Sequence, residues 1–577
     1  MVLALLLQST LAAAEDSRVG VMTHFAQGWD PAEADDAAGK SIGNVRDELY
    51  WANVEVKPGV YTFQASYETY MARLKKDNIS PLIELDFENP LYDGGNTPYT
   101  PASLTAFAKY GVALLSHYGS QIQAVEVWNE FNGSFCTGPA INDRDGTYMA
   151  MLTATYTEIK AVRPDVTVVG GATSSIPLPY WSKLISDGAL SYMDVLSVHP
   201  YRYNSPPEGI EIDIAALQTL VKNANNGQPK PIWVTEIGWL EQTSPLLVDD
   251  PTLAKYVART YALLLSAGVE RVYWYMLRDD SGVNMGLFTD DMAPKPAAYA
   301  MSTLIAELDG APFVKKENTP DNVYSMVFQG STGKQVRIMW SMSSRPVYLR
   351  GVTKAVDMLG NSLGTSGSYT LSDSPIYVEG NVTGVPAPSA SDEVILASSA
   401  VDFAGAQGNN GWSYGYSVGS GPFTLMSTYT SDAWNYYWTD NFSFLSVTEA
   451  DMHPSLQGST PVNVIRRWTS NRAGFVHLVG DFQGTDQGDG VGVTILLDGQ
   501  PELARKLIGP GYPAAENFDF VVPVSIGSTI DFVVDVGPGA DMNYDATAFS
   551  VQILTSNSTT SAQSPSPVVA GLADQRD

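Results

Sequence analysis

The stretch AVEVWNEFNG, Ala124–Gly133, decides the fold of this chain. It begins as a strand, with apolar residues at positions 122, 124, 125 and 127, and it ends in the polar pair Asn129 and Glu130 before the turn residue Gly133. An α/β barrel carries its chemistry on residues at the carboxyl ends of its buried parallel strands. The stretch therefore predicts a barrel strand whose tip presents the carboxylate of Glu130.

A second stretch, PIWVTEIGW at Pro231–Trp239, has the same pattern, in which a run of apolar residues predicts a strand that ends at Glu236. Two carboxylates at strand ends that face one mouth are the minimum equipment for cleaving a glycosidic bond. Either glutamate alone could be an ordinary surface residue that follows a strand. The two contexts together favour a catalytic pair.

Between Arg18 and about Gly310, short apolar runs alternate with amphipathic segments. The predicted strands are 19–24, 42–46, 79–85, 122–129, 166–171, 194–199, 231–235 and 271–276, and the predicted helices are 65–77, 103–118, 147–162, 180–187, 211–224, 251–267 and 297–308. Eight such strands with helices between them predict a (β/α)8 TIM barrel over residues 15–310. An open doubly wound sheet is the alternative, but no glycine-rich phosphate loop follows the first strand.

After the barrel the pattern changes to alternating strands, which predicts two all-β regions. We expect a small β module at 311–380 packed on the barrel, a linker at 381–391 and a jelly-roll-like β-sandwich at 392–554. The Ser/Thr/Pro-rich residues 555–577 predict a disordered tail. Residues 1–14 resemble a secretory signal, so we expect a secreted, extracellular or periplasmic protein.

Composition excludes several classes of function. The 577-residue chain has a net charge of −29, which argues against nucleic acid and anionic membranes as partners. It contains one cysteine, Cys136, and five histidines without ligand spacing, so we expect no metal and no cofactor. We expect a monomer that binds a carbohydrate substrate.

A retaining glycosidase needs a protonated carboxyl that assists the leaving group and an ionised one that attacks the anomeric carbon. Glu130 suits the acid/base role, and Glu236 suits the nucleophile. Asn129 can hydrogen-bond the sugar 2-hydroxyl, a contact that strengthens as the oxocarbenium ion forms. A transglycosylase and a catalytically inactive sugar-binding protein are the alternatives, and the presence of both glutamates argues against the second.

The motifs resemble glycoside hydrolase clan A, whose members carry Asn-Glu after strand four and Glu after strand seven. Within the clan, VRDELYW at Val45–Trp51, Val54-Glu55 and PGVYTF at Pro58–Phe63 are similar to family 39, especially its bacterial exopolysaccharide-cleaving endoglycosidases. The Thr235–Trp239 stretch is also similar to β-galactanase and β-1,3-glucanase families. The resemblance leaves the sugar and its linkage open.

The resemblance implies Arg46 as the strand-two arginine near the nucleophile and Tyr201 as the aromatic partner of Glu236. Arg46 could instead form a salt bridge with Glu55 or Asp47, but a strand-tip guanidinium that keeps Glu236 ionised is the preferred interpretation.

Two further residues, His199 and Trp274, each have a functional and a packing interpretation. His199 ends strand six and is either a core histidine or a substrate or carboxylate contact. Trp274 ends strand eight, where it either packs the barrel or stacks on a pyranose; we favour stacking. The aromatic residues of the C-terminal region are either core or a carbohydrate-binding platform, and alternating aromatics on strands favour the core.

Overall fold

The computed structural model describes residues 16–556, apart from 203–204, 242–247, 281, 321, 331–332, 388–394, 432–435, 485–486 and 540. The chain divides into two compact units, residues 1–387 and 388–577. The predicted signal segment, 1–14, and positions 557–577 of the predicted tail lie outside the described residues. No helix in the part of the chain that the structure describes is long and apolar enough to cross a bilayer.

The first unit contains a closed barrel of eight parallel strands, so the predicted (β/α)8 fold is confirmed. The strands are β1 Val19–Met22, β2 Asn44–Glu48, β3 Ser80–Leu85, β4 Ala124–Val127, β5 Thr167–Ser174, β6 Val195–His199, β7 Ile232–Ile237 and β8 Arg271–Trp274. The main helices that follow them are α1 Ala34–Gly39, α2 Ala65–Lys76, α3 Pro101–Tyr118, α4 Arg144–Val162, α5 Leu178–Ser186, α6 Ile210–Ala224, α7 Asp250–Ser266 and α8 Pro296–Leu308.

Strand alternation divides the barrel interior into an apolar bottom and a polar top. The bottom is filled by the apolar cluster of Leu82, Ala124, Val169, Val195, Trp233 and Tyr273. Leu82 and Ala124 stand two positions before Glu84 and Glu126, so each pair shares the inner face of its strand. The inner face therefore turns from apolar to charged toward the carboxyl ends of the strands.

One glycine makes room for this packing. A Cβ on Gly20 of β1 would lie 2.5 Å from the ring of Tyr273, which pairs with Gly20 across β1 and β8. Only a residue without a side chain leaves space for that ring at the barrel bottom.

A second sheet follows the barrel within the same unit. Its strands are β9 Phe313–Lys316, β10 Val323–Gln329, β11 Gln335–Ser341, β12 Arg345–Tyr348, β13 Arg350–Asp357, β14 Ser368–Leu371 and β15 Ile376–Thr383. β9, β10, β11, β15 and β13 form one antiparallel sheet in that order, and β12 pairs with β14. The indole of Trp340 on β11 donates to Glu208 of the barrel at 2.9 Å. The sequence pattern of this module predicts strands at 324–329, 335–341, 346–349, 354–358 and 376–379 and a turn at 357–361. β9 and β14 were therefore missed, and β15 runs into the predicted linker.

The second unit is a sandwich of two antiparallel sheets. Its strands are Ile395–Ser398, Trp412–Val418, Thr424–Leu425, Thr428–Ser431, Tyr436–Thr439, Ser446–Val447, Asp451–His453, Ser455–Gln457, Thr460–Thr469, Gly474–Gln483, Val491–Leu497, Gln500–Ile508, Ala515–Val524, Thr529–Asp535 and Thr547–Ser556. Trp412, Tyr414, Trp438 and Trp468 are buried in its core, which confirms the packing interpretation for these four aromatics. Trp434, another aromatic residue of the C-terminal region, lies outside the described residues.

Candidate active site

Glu130 and Glu236 meet at the mouth of the barrel, where β4 and β7 end. An oxygen of each carboxyl and a ring nitrogen of His199 all lie within 4.8 Å of one another. His199 Nδ1 lies 3.1 Å from Glu130 Oε1 and 3.7 Å from Glu236 Oε2. His199 thus lies between the two glutamates, which supports the carboxylate-contact interpretation over that of a plain core histidine.

The backbone at the end of β4 is strained where it presents Glu130. Trp128 has φ 68° and Glu130 has φ 39°, values in the left-handed region that ordinary residues rarely adopt. The Glu130 amide donates to the carbonyl of Ala172 at 2.8 Å, and the Gly133 amide donates to the carbonyl of Glu130 at 2.7 Å. These bonds to β5 and to the following turn hold the conformation that points the side chain into the mouth.

Glu236 is held on both of its carboxyl oxygens. Arg46 Nη1 contacts Oε1 at 2.7 Å, and the Tyr201 hydroxyl donates to Oε2 at 2.7 Å. Gly238 allows the strand end to approach β8, since a Cβ there would lie 2.2 Å from the carbonyl oxygen of Tyr275. The glycine of the TEIGW stretch therefore has a packing reason that is independent of chemistry.

Arg46 is the centre of a buried charge network. Its guanidinium contacts Glu84 at 2.7 Å, Glu126 at 2.6 Å and Glu236 at 2.7 Å, and it donates to Asn129 Oδ1 at 3.3 Å. The side chain is fully buried. A guanidinium matches carboxylates through several donors at once, which a lysine does not.

The salt-bridge alternatives for Arg46 are wrong. Asp47 accepts from the Thr23 hydroxyl at 2.7 Å and the Phe25 amide at 2.8 Å, because it points to the opposite face of β2. Glu55 accepts instead from the indole of Trp51 at 2.7 Å. Sequence reasoning missed Glu126, although a glutamate inside a buried strand signals an ionic partner.

Electrostatics favour an ionised Glu236. Burial alone would raise the pKa of Glu236, but the charges of His199 and Arg46 and the hydrogen bonds from Tyr201 and Arg46 outweigh it and lower that pKa. Burial lowers the pKa of His199, yet the Glu236 charge and the contact with Glu130 raise it overall. A protonated His199 next to an ionised Glu236 is the state that these shifts describe.

Glu130, His199 and Glu236 are spaced closely enough to bind a metal ion, but the contacts that His199 and Glu236 make oppose metal binding. Both oxygens of Glu236 already accept from Arg46 and Tyr201. A histidine must be neutral to bind a metal, and the raised pKa of His199 opposes that.

We expect His199→Asn to move the acid limb of kcat/KM toward higher pH. The substitution removes a positive charge beside Glu236, so the pKa of Glu236 should rise and the nucleophile should protonate earlier as the pH falls. The pH profile of kcat/KM on an aryl glycoside measures this. An unchanged acid limb would show that the charge of His199 does not act on Glu236.

The shifted pKa values of Glu236 and His199 make the stability of the fold depend on pH in opposite directions. The depressed pKa of Glu236 adds stability that is present above its ordinary pKa of 4.5 and is lost as the pH falls through the lowered value. The raised pKa of His199 adds stability that is present below its ordinary pKa of 6.5 and is lost as the pH rises through the raised value. Both contributions are therefore complete together between pH 4.5 and 6.5.

The expectation that Trp274 stacks on substrate is wrong. Trp274 is fully buried, its ring lies 5.9 Å from that of Trp239, and its indole donates to the carbonyl of Met285 at 3.1 Å. Side chains alternate along a strand, so Trp274 points out toward the helices while Tyr273 points into the barrel. Tyr275, one residue further, lies beside the mouth, with its ring 6.3 Å from that of Tyr201.

We expect opposite phenotypes from these two neighbours. Tyr275→Ala should lower kcat/KM about tenfold, the size of one aromatic–sugar contact, with little loss of stability. Trp274→Phe should lower the free energy of unfolding by about 1–3 kcal/mol through lost buried surface and the lost indole hydrogen bond, with kcat of the folded enzyme retained. Denaturant unfolding and aryl glycoside kinetics on both variants measure the difference, and a reversed pattern would restore Trp274 as the sugar contact.

A further histidine that sequence reasoning did not assign also lies at this mouth. His24 follows β1, is 7% exposed, and places its ring 5.7 Å from that of Tyr275. The sequence could have indicated His24 through strand alternation, because it stands two residues after Met22 and so shares its face of the strand. Met22 faces the barrel interior, where its sulfur contacts Arg46. Arg46, Asn129, Glu130, His199, Tyr201 and Glu236 are thus brought together, and Trp274 is not.

Comparisons with known proteins found one family model and several solved structures to which this chain is similar. Residues 117–299 match a family model described as "Glycosyl hydrolase catalytic core", a range that includes both glutamates. A family 39 glycoside hydrolase from Bacteroides cellulosilyticus WH2 is similar at a TM-score of 0.55 and 22% identity, over 64% of this chain and 81% of that one. A family 39 beta-xylosidase from Caulobacter crescentus matches at a TM-score of 0.47 and 16% identity, over 64% of this chain and 97% of that one.

No curated protein matches this chain by sequence. The Bacteroides structure confirms the barrel fold that the sequence motifs imply. Residues 117–299 therefore match a model of a glycosyl hydrolase catalytic core, and the barrel that contains them is similar in fold to a family 39 glycoside hydrolase.

Proposed function

We propose that this protein is a retaining glycoside hydrolase that cleaves O-glycosidic bonds of a polysaccharide or oligosaccharide by double displacement. The observation that carries the proposal is the close approach of Glu130 and Glu236, which have carboxyl oxygens within 4.8 Å of each other. Retaining enzymes hold their carboxyl groups about 5–5.5 Å apart, and inverting enzymes hold them about 6.5–9.5 Å apart to leave room for a water.

In the first displacement, a carboxylate oxygen of Glu236 attacks the anomeric carbon while the bond to the leaving oxygen breaks. Glu130 gives its proton to that oxygen, so the departing sugar leaves as an alcohol. The lowered pKa of Glu236 keeps the attacking group ionised. His199 Nδ1, 3.1 Å from Glu130 Oε1, is placed to stabilise the carboxylate that remains on Glu130.

In the second displacement, Glu130 takes a proton from water, and the resulting hydroxide attacks the anomeric carbon and releases Glu236. The sugar leaves with the configuration that it had in the substrate. Asn129 accepts from Arg46 through Oδ1, which orients its amide N–H groups away from Arg46. Those donors suit the sugar 2-hydroxyl, whose hydrogen bond strengthens in the transition state.

A glycan panel tests the proposal. The purified full-length protein is incubated with neutral and amino-sugar polysaccharides, and the products are identified by mass, with Glu130→Gln/Glu236→Gln as the inactive control. We expect oligosaccharide products from at least one polymer with the wild type and none with the control. Early NMR spectra of the cleaved substrate should show the retained anomer first, and an inverted first product would refute the proposed mechanism.

A further inference from the structure

Three buried carboxyls form a second cluster at the barrel mouth, next to Arg46. Glu48 ends β2, Glu84 lies on β3, and Asp86 follows β3 on the same inner face. They are 5%, 1% and 0% exposed. One oxygen of each lies within 4.8 Å of an oxygen of both others.

Most of the oxygens in this cluster have no hydrogen-bond donor among the described residues. Both oxygens of Asp86, Oε1 of Glu84 and Oε2 of Glu48 are buried without a partner. Leaving a buried carboxylate charged and unpaired costs several kcal/mol, so native proteins pair such groups, protonate them or bind a metal with them. Asp86 is the clearest case, since neither of its oxygens is used.

The nearby positive charge is already shared. Arg46 contacts Glu84 with Nη2, but its other nitrogens contact Glu126 and Glu236. Asp47 also lies close enough to act on Asp86 by its charge. The cluster is thus a local excess of buried acid that one guanidinium does not balance.

The geometry of the cluster distinguishes among the groups that could contact its unpartnered carboxyl oxygens. A sugar hydroxyl cannot reach the unpartnered oxygens, because they are shielded from solvent. A single water donates only two hydrogen bonds and brings no charge. A cation bound by oxygens at about 2.3–2.6 Å spans ligand separations up to about 5 Å, which the cluster matches.

We propose that Glu48, Glu84 and Asp86 bind one calcium ion at the barrel mouth. Calcium accepts mono- and bidentate carboxylates in a flexible geometry, and Asp86 has both oxygens available for bidentate contact. Magnesium retains several waters and demands an octahedral site, which a buried cluster of three carboxyls suits less well. The site is separate from the catalytic pair and does not depend on the proposed glycosidase activity.

Bound calcium would act on the barrel through Glu84. Calcium would neutralise the negative charge of the cluster and weaken the attraction between Glu84 and Arg46. The guanidinium of Arg46 would then interact more strongly with Glu126 and Glu236. The ion would also join the ends of β2 and β3, which carry Arg46 and Glu84. We therefore expect calcium to stabilise the fold by mass action.

The test uses full-length protein stripped with a chelator and then titrated with calcium chloride. Equilibrium dialysis with radioactive calcium should give saturable binding, and calorimetry should show an unfolding transition that rises by about 4 °C at saturating calcium. Terbium should bind in place of calcium and luminesce when nearby tyrosines such as Tyr50 are excited. Failure of the stripped wild type to bind calcium or terbium would overturn the proposal and leave shared protons as the explanation of the cluster.

Asp86→Asn assigns the site, with Asp545→Asn as the matched control. Asp545 is also a buried aspartate with two unpartnered oxygens, but it lies in the second unit. Asp86→Asn should lose the calcium-induced rise and, in chelator, unfold at a higher temperature than the wild type, because it removes an uncompensated charge. Asp545→Asn should keep the full rise. Loss of the rise in Asp545→Asn alone, or equal destabilisation of Asp86→Asn with and without calcium, would overturn the assignment.

Discussion

Glu236→Ala should lower kcat on an activated aryl glycoside by roughly 10⁴-fold or more, the scale on which hydrolases respond to loss of a covalent nucleophile. The substitution removes the oxygen that attacks the anomeric carbon and leaves Arg46 and Tyr201 without their shared partner. Binding contacts made by the rest of the mouth stay in place. KM should therefore change far less than kcat.

Added azide should restore turnover in Glu236→Ala with inverted stereochemistry. The anion fits the space vacated by the carboxylate and attacks the anomeric carbon directly in a single displacement. The product is then a glycosyl azide of the configuration opposite to the substrate. NMR of the isolated product measures this outcome.

Glu130→Ala should respond to azide with retained stereochemistry. An activated aryl leaving group needs no acid, so Glu236 still forms the glycosyl-enzyme, which then accumulates because no base activates water. Azide needs no base and attacks this intermediate, which completes a second inversion. Exposed Glu270, which precedes β8 at the other end of the barrel, offers a control: Glu270→Ala should keep wild-type rates and form no azide product.

The two stereochemical results distinguish the roles of the glutamates. Swapped outcomes would show that Glu130 is the nucleophile and Glu236 the acid. Retention in both variants would remove Glu236 from the covalent step. The close approach of the two carboxyls alone does not make this distinction, because it is symmetric between them.

The barrel was predictable because its strands are buried on both faces and read as continuous apolar runs. Each predicted barrel strand overlaps an observed one, and the turn at Asp357–Asn361 forms with Asp357 accepting from the amides of Leu359 and Asn361. The short edge strands β9 and β14 were missed, since their four residues carry too little alternation to separate strand from loop.

The sequence predicted those site residues that stand in short motifs of neighbouring residues. Glu130 and Glu236 stand in motifs of contiguous residues, whereas Glu126, the partner of Arg46 that was missed, lies 80 positions away from it along the chain. Glu126 and Tyr275 reach the interior through strand alternation, which requires knowing where each strand ends to within one residue. The error over Trp274 has the same origin, because a shift of one position moves a side chain from the barrel interior to its outer face.

Arg46→Lys should lower kcat about 10²–10³-fold with a small change in KM, the scale of losing one preorganised electrostatic contact. Lysine keeps the charge but presents a single ammonium, so it cannot contact Glu84, Glu126 and Glu236 together. The pKa of Glu236 should rise, and the acid limb of kcat/KM should move to higher pH. Kinetics across pH on the purified variant measure both effects.

Arg46→Ala should go further and destabilise the barrel by about 3–5 kcal/mol, because it leaves several buried carboxylates without their common partner. Arg259 offers a matched control within the same unit, since it is equally buried and contacts Glu208 through Nε at 2.7 Å, but has no contact with Glu130 or Glu236. Arg259→Lys should cost stability and leave kcat of the folded protein unchanged. If Arg46→Lys behaved like Arg259→Lys, the guanidinium would only hold the barrel together, and the ionised state of Glu236 would rest on His199 and Tyr201 instead.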